Sequence, residues 1–232
     1  MPPMPKTILI TRPREDAERL AADFESQGFA TMIEPMLTIE FVADPAFSTD
    51  GAQAILLTSA NGARALGRTG ASRDCPVLAV GEKTAEAARD QGFVRVETAG
   101  GNVERLADLA AMILDPAEGP VIHVSGRDVA GDLAGALEAR GFTYRRHVLY
   151  KARAAEAFSE NLRDSLGAGE IAAVVFYSAR TAATFVMLAK QAGLAGSAAS
   201  MTAFCISEAV AEAARDMDWA RIEIMGGPIT VH

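Results

Sequence analysis

Short apolar, β-branched runs punctuate the chain at residues 7–11, 54–58, 77–80, 121–124, 172–177 and 202–206. Between most of them, apolar positions recur at helical spacing within Ala/Leu/Glu/Arg segments, as at 16–27 and 82–91. Strands alternating with amphipathic helices predict parallel α/β units. The strand runs are apolar at nearly every position, the pattern of a sheet covered by helices on both faces.

Repeats refine this picture. The string AEAARD at 85–90 returns at 211–216. Ser59 and Ser178 each end an apolar run and open a helical pattern. Residues 14–29 can be laid on 127–142, matching Arg14 with Arg127, Ala17 with Ala130, Leu20 with Leu133 and Gly28-Phe29 with Gly141-Phe142. The pieces therefore run first unit (7–37), second unit (54–101), first again (120–150) and second again (172–227). One solution is a tandem. The other nests the inner pieces as one domain inside the outer pieces, with about five parallel strands each. The chain would then cross near 35–42 and 147–153, both strand-like and able to pair as a ribbon. Periodicity does not choose between the two.

In open parallel sheets, ligands sit outside the carboxyl ends of the strands. Those ends read Arg12-Pro13-Arg14, Thr58-Ser59-Ala60-Asn61, Gly81-Glu82-Lys83-Thr84, Ser125-Gly126-Arg127, Ser178-Ala179-Arg180-Thr181 and Ser207-Glu208. Nearly all are small or hydroxyl residues opening a helix, where backbone N–H groups are unpaired and the helix dipole is positive. Such rims can cradle anions. The same residues are also common N-caps, worth about 1 kcal/mol each, and duplication copies caps as readily as sites.

Composition narrows the chemistry. The 232 residues are half apolar and carry a formal charge of −8, which argues against a nucleic-acid partner, since that needs a basic face. Cys75 and Cys205 show no ligand spacing, so neither a disulfide framework nor a zinc site is expected, and reduced thiols fit a cytoplasmic protein. The start, MPPMPK, has no apolar signal core. No run approaches the roughly 20 apolar residues of a membrane span. Neither a phosphate-loop motif nor a G-x-S-x-G elbow is present. His123 falls inside a strand and reads as a core residue, and His147 has no partner at ligand spacing. What is left is an acidic chain with several anion-binding rims.

The ordered set ILITRP, ILLTSANGAR, LAVGEKTAEA, VIHVSGR, RRHVLYKAR and VVFYSARTA resembles the uroporphyrinogen-III synthase family over nearly the whole chain. The resemblance implies two flavodoxin-like α/β domains, nested and joined by a two-stranded ribbon: residues 1–37 with 153–232, and an inserted domain at 38–152. It implies a cleft between them in which hydroxymethylbilane, a linear tetrapyrrole with eight carboxylates, is closed to a macrocycle with inversion of the last ring and loss of water. It implies no metal and no organic cofactor. The expected partner is this small-molecule substrate, with neither nucleic acid nor membrane, and the chain is expected to be a cytoplasmic monomer. Tyr150 is the family's candidate acid for helping the hydroxyl leave. Arg12, Arg14, Thr58, Ser59, Ala60, Thr84, Ser125, Gly126, Arg127, Ser178, Ala179 and Ser207 are the candidate substrate-binding residues, and Lys151 is expected to point to the face opposite Tyr150.

Two departures stand out. The last rim has Ser207 where the family often has Gly, and Ala209-Val210 where threonine is common. After Gly226-Gly227 the sequence reads PITVH, where the family usually has a closing helix, so part of one sheet face is expected to be uncovered. The competing reading is a two-lobed, non-catalytic module for an anionic small molecule. Tyr150 and the order of the rims favour the enzyme, and the altered Ser207 rim favours the module.

Overall fold

The structure is a computed structural model describing residues 7–42, 46–129 and 131–226. The MPPMPK start, Ala130 and the segment from Gly227 onward, where the family's closing helix would stand, lie outside the described residues. The first elements are β1 (Thr7–Ile10), α1 (Arg14–Ser26), β2 (Ala30–Ile33), β3 (Leu37–Phe41), β4 (Ala54–Leu57) and α2 (Ala60–Gly67). Then come β5 (Val77–Ala79), α3 (Glu82–Asp90), β6 (Val96–Thr98), α4 (Val103–Ile113), β7 (Val121–Gly126), α5 (Leu133–Glu138) and β8 (Tyr144–Ala154). The last are α6 (Glu160–Gly167), β9 (Ile171–Phe176), α7 (Ala179–Gln191), β10 (Thr202–Cys205), α8 (Glu208–Ala214) and β11 (Arg221–Ile224).

The chain divides into two compact units, Met1–Thr38 with Arg153–His232, and Ile39–Ala152. The outer pieces of the repeat make one unit and the inner pieces the other. In the first unit the sheet order is β11-β10-β9-β1-β2, with every pairing parallel. Numbered within the unit, this is the flavodoxin-like order 2-1-3-4-5. The second sheet runs β3-β8-β7-β4-β5-β6. Without β3 it has the same layout in a permuted chain order. The registers agree, since Val77 pairs with Val96 at the repeat position that Ala203 and Ile222 occupy in the first unit.

The sixth strand of the second sheet was not foreseen. β3 lies at the edge beside β8, so the ribbon is an extension of the sheet and not a separate element. The Val42 N–H donates to the Leu149 carbonyl, and the Ala155 N–H to that of Met36. Partners advance on one segment as they retreat on the other, so the two run antiparallel.

Alternation across each strand sends its side chains to two helical layers. In the first unit Ile8 and Ile10 pack with Ala17, Ala21 and Phe24 of α1. Leu9, Val174 and Phe176 face α6, α7 and α8 through Leu162, Phe185 and Ala211. In the second, Ile55 and Leu57 pack on α2 and α3, and Ala54, Leu56 and Val121 on α4 and α5.

Phe185 is the hub of an aromatic group. Its ring lies 5.1 Å from Phe158, 5.5 Å from Phe176 and 6.0 Å from Trp219, the last stacked. Removing a buried phenylalanine costs about 3–5 kcal/mol. Phe185→Ala should therefore lower stability by about that amount, read from the urea midpoint of Trp219 fluorescence, since the chain has one tryptophan. An unchanged midpoint would show that this group does not stabilise the first unit.

Candidate functional site

In the second unit the topology switches between β7 and β4, because the chain winds from β4 toward β6 on one side and from β7 toward β8 on the other. A crevice at the strand ends of such a switch point is the expected ligand position. Ser59 follows β4 in extended backbone and caps α2, its Oγ accepting from the Gly62 N–H. The same Oγ lies 2.7 Å from the phenol oxygen of Tyr150. One hydroxyl thus ties a tyrosine to the positive end of a helix.

Tyr150 reaches Ser59 because of an irregularity in β8. Ser125 pairs with Val148, but Gly126 pairs with Tyr150, so one residue is extra. A bulge of this kind re-aims the side chain that follows it. Leu149 and Tyr150, which would otherwise face opposite ways, both pack against the layer formed with α2 and α3. The ring then lies over Gly126, where an added Cβ would come within 2.7 Å of it. The backbone closes the arrangement, with the Arg127 N–H donating to the Tyr150 carbonyl at 3.0 Å.

On the opposite face of the sheet a polar chain runs inward. Thr58 Oγ1 lies 3.1 Å from His123 Nε2, and His123 Nδ1 lies 2.6 Å from the Tyr144 hydroxyl. Burial, reinforced by the charge of Arg146, lowers the imidazole pKa to about 4. A neutral ring has one donor and one acceptor nitrogen, and two hydroxyls can satisfy either tautomer. Arg146 donates from Nε to Ser125 Oγ at 2.8 Å and from Nη2 to the Gly126 and Arg127 carbonyls, each at 2.7 Å.

The first unit has its switch between β1 and β9, with different chemistry. Thr11 donates to the Val175 carbonyl at 2.7 Å. Arg12 pairs with Asp16 at 2.9 Å, and its guanidinium lies 4.4 Å from the centre of the Tyr177 ring. Ser178 caps α7 by accepting from the Thr181 N–H. The repeat places Leu37 where the second unit has Tyr150, and Pro13 where it has Gly126. The serine cap is therefore duplicated and the serine–tyrosine pair is not.

The other candidates are placed as follows. Ala60 and Ala179 open α2 and α7, so their amides belong to the helix-start donors. Arg14 is exposed at the start of α1, and Arg127 is exposed after β7. Thr84 is buried in the first turn of α3, and its counterpart by repeat, Val210, is buried as well. Gly81 and Ser207 share an extended backbone, so serine fits the last rim without strain. The Glu208 carboxylate there accepts from Arg215. Lys151 pairs with Glu40 at 2.8 Å. Among the described residues no group of three or more His, Cys, Asp or Glu could hold a metal ion. No described helix is long and apolar enough to cross a membrane. No motif in the sequence marks Arg146 or the link from Thr58 through His123 to Tyr144. Their trace in the sequence is the polar run Tyr144-Arg145-Arg146-His147 in a strand that pairs with buried β7.

His123 makes stability depend on pH. The unfolded imidazole takes up a proton near 6.5, and the folded one resists until about 4. Its contribution is complete above pH 6.5, declines as pH falls toward 4, and is constant below. The loss is on the order of 3 kcal/mol. Urea unfolding at pH 7.5 and 4.5 should show a larger decline for the parent chain than for His123→Gln, and equal declines would refute this assignment.

The family model for uroporphyrinogen-III synthase HemD matches residues 18–224. Two solved structures share the fold. One is a mutant uroporphyrinogen III synthase from the extremely thermophilic bacterium Thermus thermophilus, 20% identical with a TM-score of 0.52, covering 96% of this chain and 94% of that one. Another is the uroporphyrinogen-III synthetase of Helicobacter pylori 26695, 14% identical with a TM-score of 0.61, covering 92% and 89%. No curated protein sequence matches the chain. With the family model spanning most of its length, the chain belongs to the uroporphyrinogen-III synthase family.

Proposed function

We propose that this chain closes hydroxymethylbilane to uroporphyrinogen III, with Tyr150 as the proton donor that starts the reaction. The observation that carries the assignment of Tyr150 is its 2.7 Å contact with Ser59 at the start of α2. The phenol proton passes to the terminal hydroxyl of the substrate, which leaves as water and creates an electrophilic azafulvenium cation. The substituted carbon of the far ring attacks it, giving a spiro intermediate. That intermediate fragments and recloses at the ring's free carbon, whose proton is lost to the phenolate, so the balance is loss of one water. Ser59 already accepts from the Gly62 N–H and can direct its own proton to the phenolate oxygen, as a preorganised donor should.

Substrate binding has to contend with charge. A polycarboxylate approaching a chain of charge −8 meets repulsion at long range. Local donors must supply the affinity, at about 1.5–3 kcal/mol for each hydrogen bond to a charged group. The helix-start amides of the Ser59, Ser178 and Ser207 rims support this role, as do the guanidinium groups of Arg12, Arg14 and Arg127. Positioning supplies about 7–11 kcal/mol. A general acid supplies about 3–5 kcal/mol. Holding the chain ends for inversion is therefore the larger share.

Purified protein given fresh hydroxymethylbilane should yield isomer III after oxidation, and only isomer I at the uncatalysed rate would overturn the proposal. Tyr150→Phe should lower turnover by about 10²–10⁴-fold while product affinity stays within a few-fold. A full-rate variant would remove Tyr150 from the mechanism.

A further inference from the structure

Building on the reading of Tyr150 as proton donor, we propose that Arg146 is a positioning residue for it, acting through the rim at 125–127 and not on substrate. The guanidinium commits Nε to the Ser125 hydroxyl and Nη2 to two successive carbonyls, those of Gly126 and Arg127. These are the residues that hold Tyr150. Gly126 supplies the space its ring occupies. Arg127 donates its N–H to the Tyr150 carbonyl. Ser125 is the last regular pair before the bulge that turns Tyr150 toward Ser59.

The fork matters as much as the charge. Three acceptors spread over three residues match the planar donors of arginine, whereas an ammonium offers a single point. Arg146 lies opposite His123 in the β7–β8 register, so its side chain runs along the strand toward the rim. The duplication gives an independent comparison. The first unit has Ile33 at the position of Arg146 and Leu37 at that of Tyr150. The fork and the phenol occur in the same copy and are replaced by apolar residues in the other.

The test is a double-mutant cycle on hydroxymethylbilane turnover with Arg146→Met and Tyr150→Phe, and Arg146→Lys alongside. Arg146→Met should lower kcat roughly 10- to 100-fold, the cost of a misplaced reacting group, with KM within about 3-fold. It should lower kcat no further when Tyr150 is already Phe. Arg146→Lys should fall similarly, because it keeps the charge without the fork. If Arg146→Met does not fold, Ser125→Ala removes one of the three bonds and should give a smaller loss, again confined to the Tyr150 background. A rise in KM at unchanged kcat would mean direct substrate contact and overturn the proposal. Equal losses in both backgrounds would overturn it too. If Tyr150→Phe lowers turnover but Arg146→Met does not, only the present inference falls. If Tyr150→Phe runs at full rate, the donor assignment falls and takes this inference with it.

Discussion

A tyrosine ring occupies the space that a side chain at position 126 would fill. That constraint fixes where the phenol of the second unit's rim can sit. The ring reaches the position only because β8 carries one extra residue after Val148. It is held there by a backbone bond from Arg127 and by the Ser59 hydroxyl. Ser59 in turn is fixed by capping α2. A bulge, a missing Cβ and a cap thus converge on one phenol oxygen. Each of the three is a backbone feature or a short side chain, so the phenol is held with little rotamer freedom.

The duplication separates what the scaffold requires from what one copy adds. Both units have the same strand layout and both serines cap the helix after the matching strand. Those features belong to the scaffold that the two copies share. His123, Arg146 and Tyr150 correspond to Ile10, Ile33 and Leu37 in the other copy. Apolar residues in the first unit show that the sheet does not need polar groups at these places. In the second unit His123 is a buried hydrogen-bonding group that must be satisfied, and it is, by Thr58 and Tyr144, while Arg146 at the surface bonds to the rim.

The interior strands were legible in the sequence because burial on both faces leaves them almost wholly apolar. The strands β2, β6 and β11 were not. Each lies at an edge of its sheet, is three or four residues long and is only partly buried, so neither length nor alternation marks it. The repeats were visible in the helices, but which copies fold together is a matter of contacts, which periodicity does not encode. Ser59 and Tyr150 were each recognisable from their own motifs. Their pairing across 91 residues depends on a bulge, and an extra residue in one strand leaves no mark in a single sequence. Arg146 was hidden for a different reason, since an arginine in a half-exposed strand usually serves solvation.

An acidic protein that handles a polyanion opposes its own substrate at long range, yet the charge distribution suits the task. Several cations are matched by acids: Arg12 by Asp16, Lys151 by Glu40, Arg153 by Glu156 and Arg215 by Glu208. The field that would draw in any polycarboxylate, in any conformation, is thereby muted. The amides at helix starts and the capped hydroxyls are directional donors, favouring an oxygen only along their own axes. A broad cationic surface would bind the extended and the bent forms of a linear tetrapyrrole alike. Ring inversion needs the bent form alone, and a rim of oriented donors can distinguish the two by geometry.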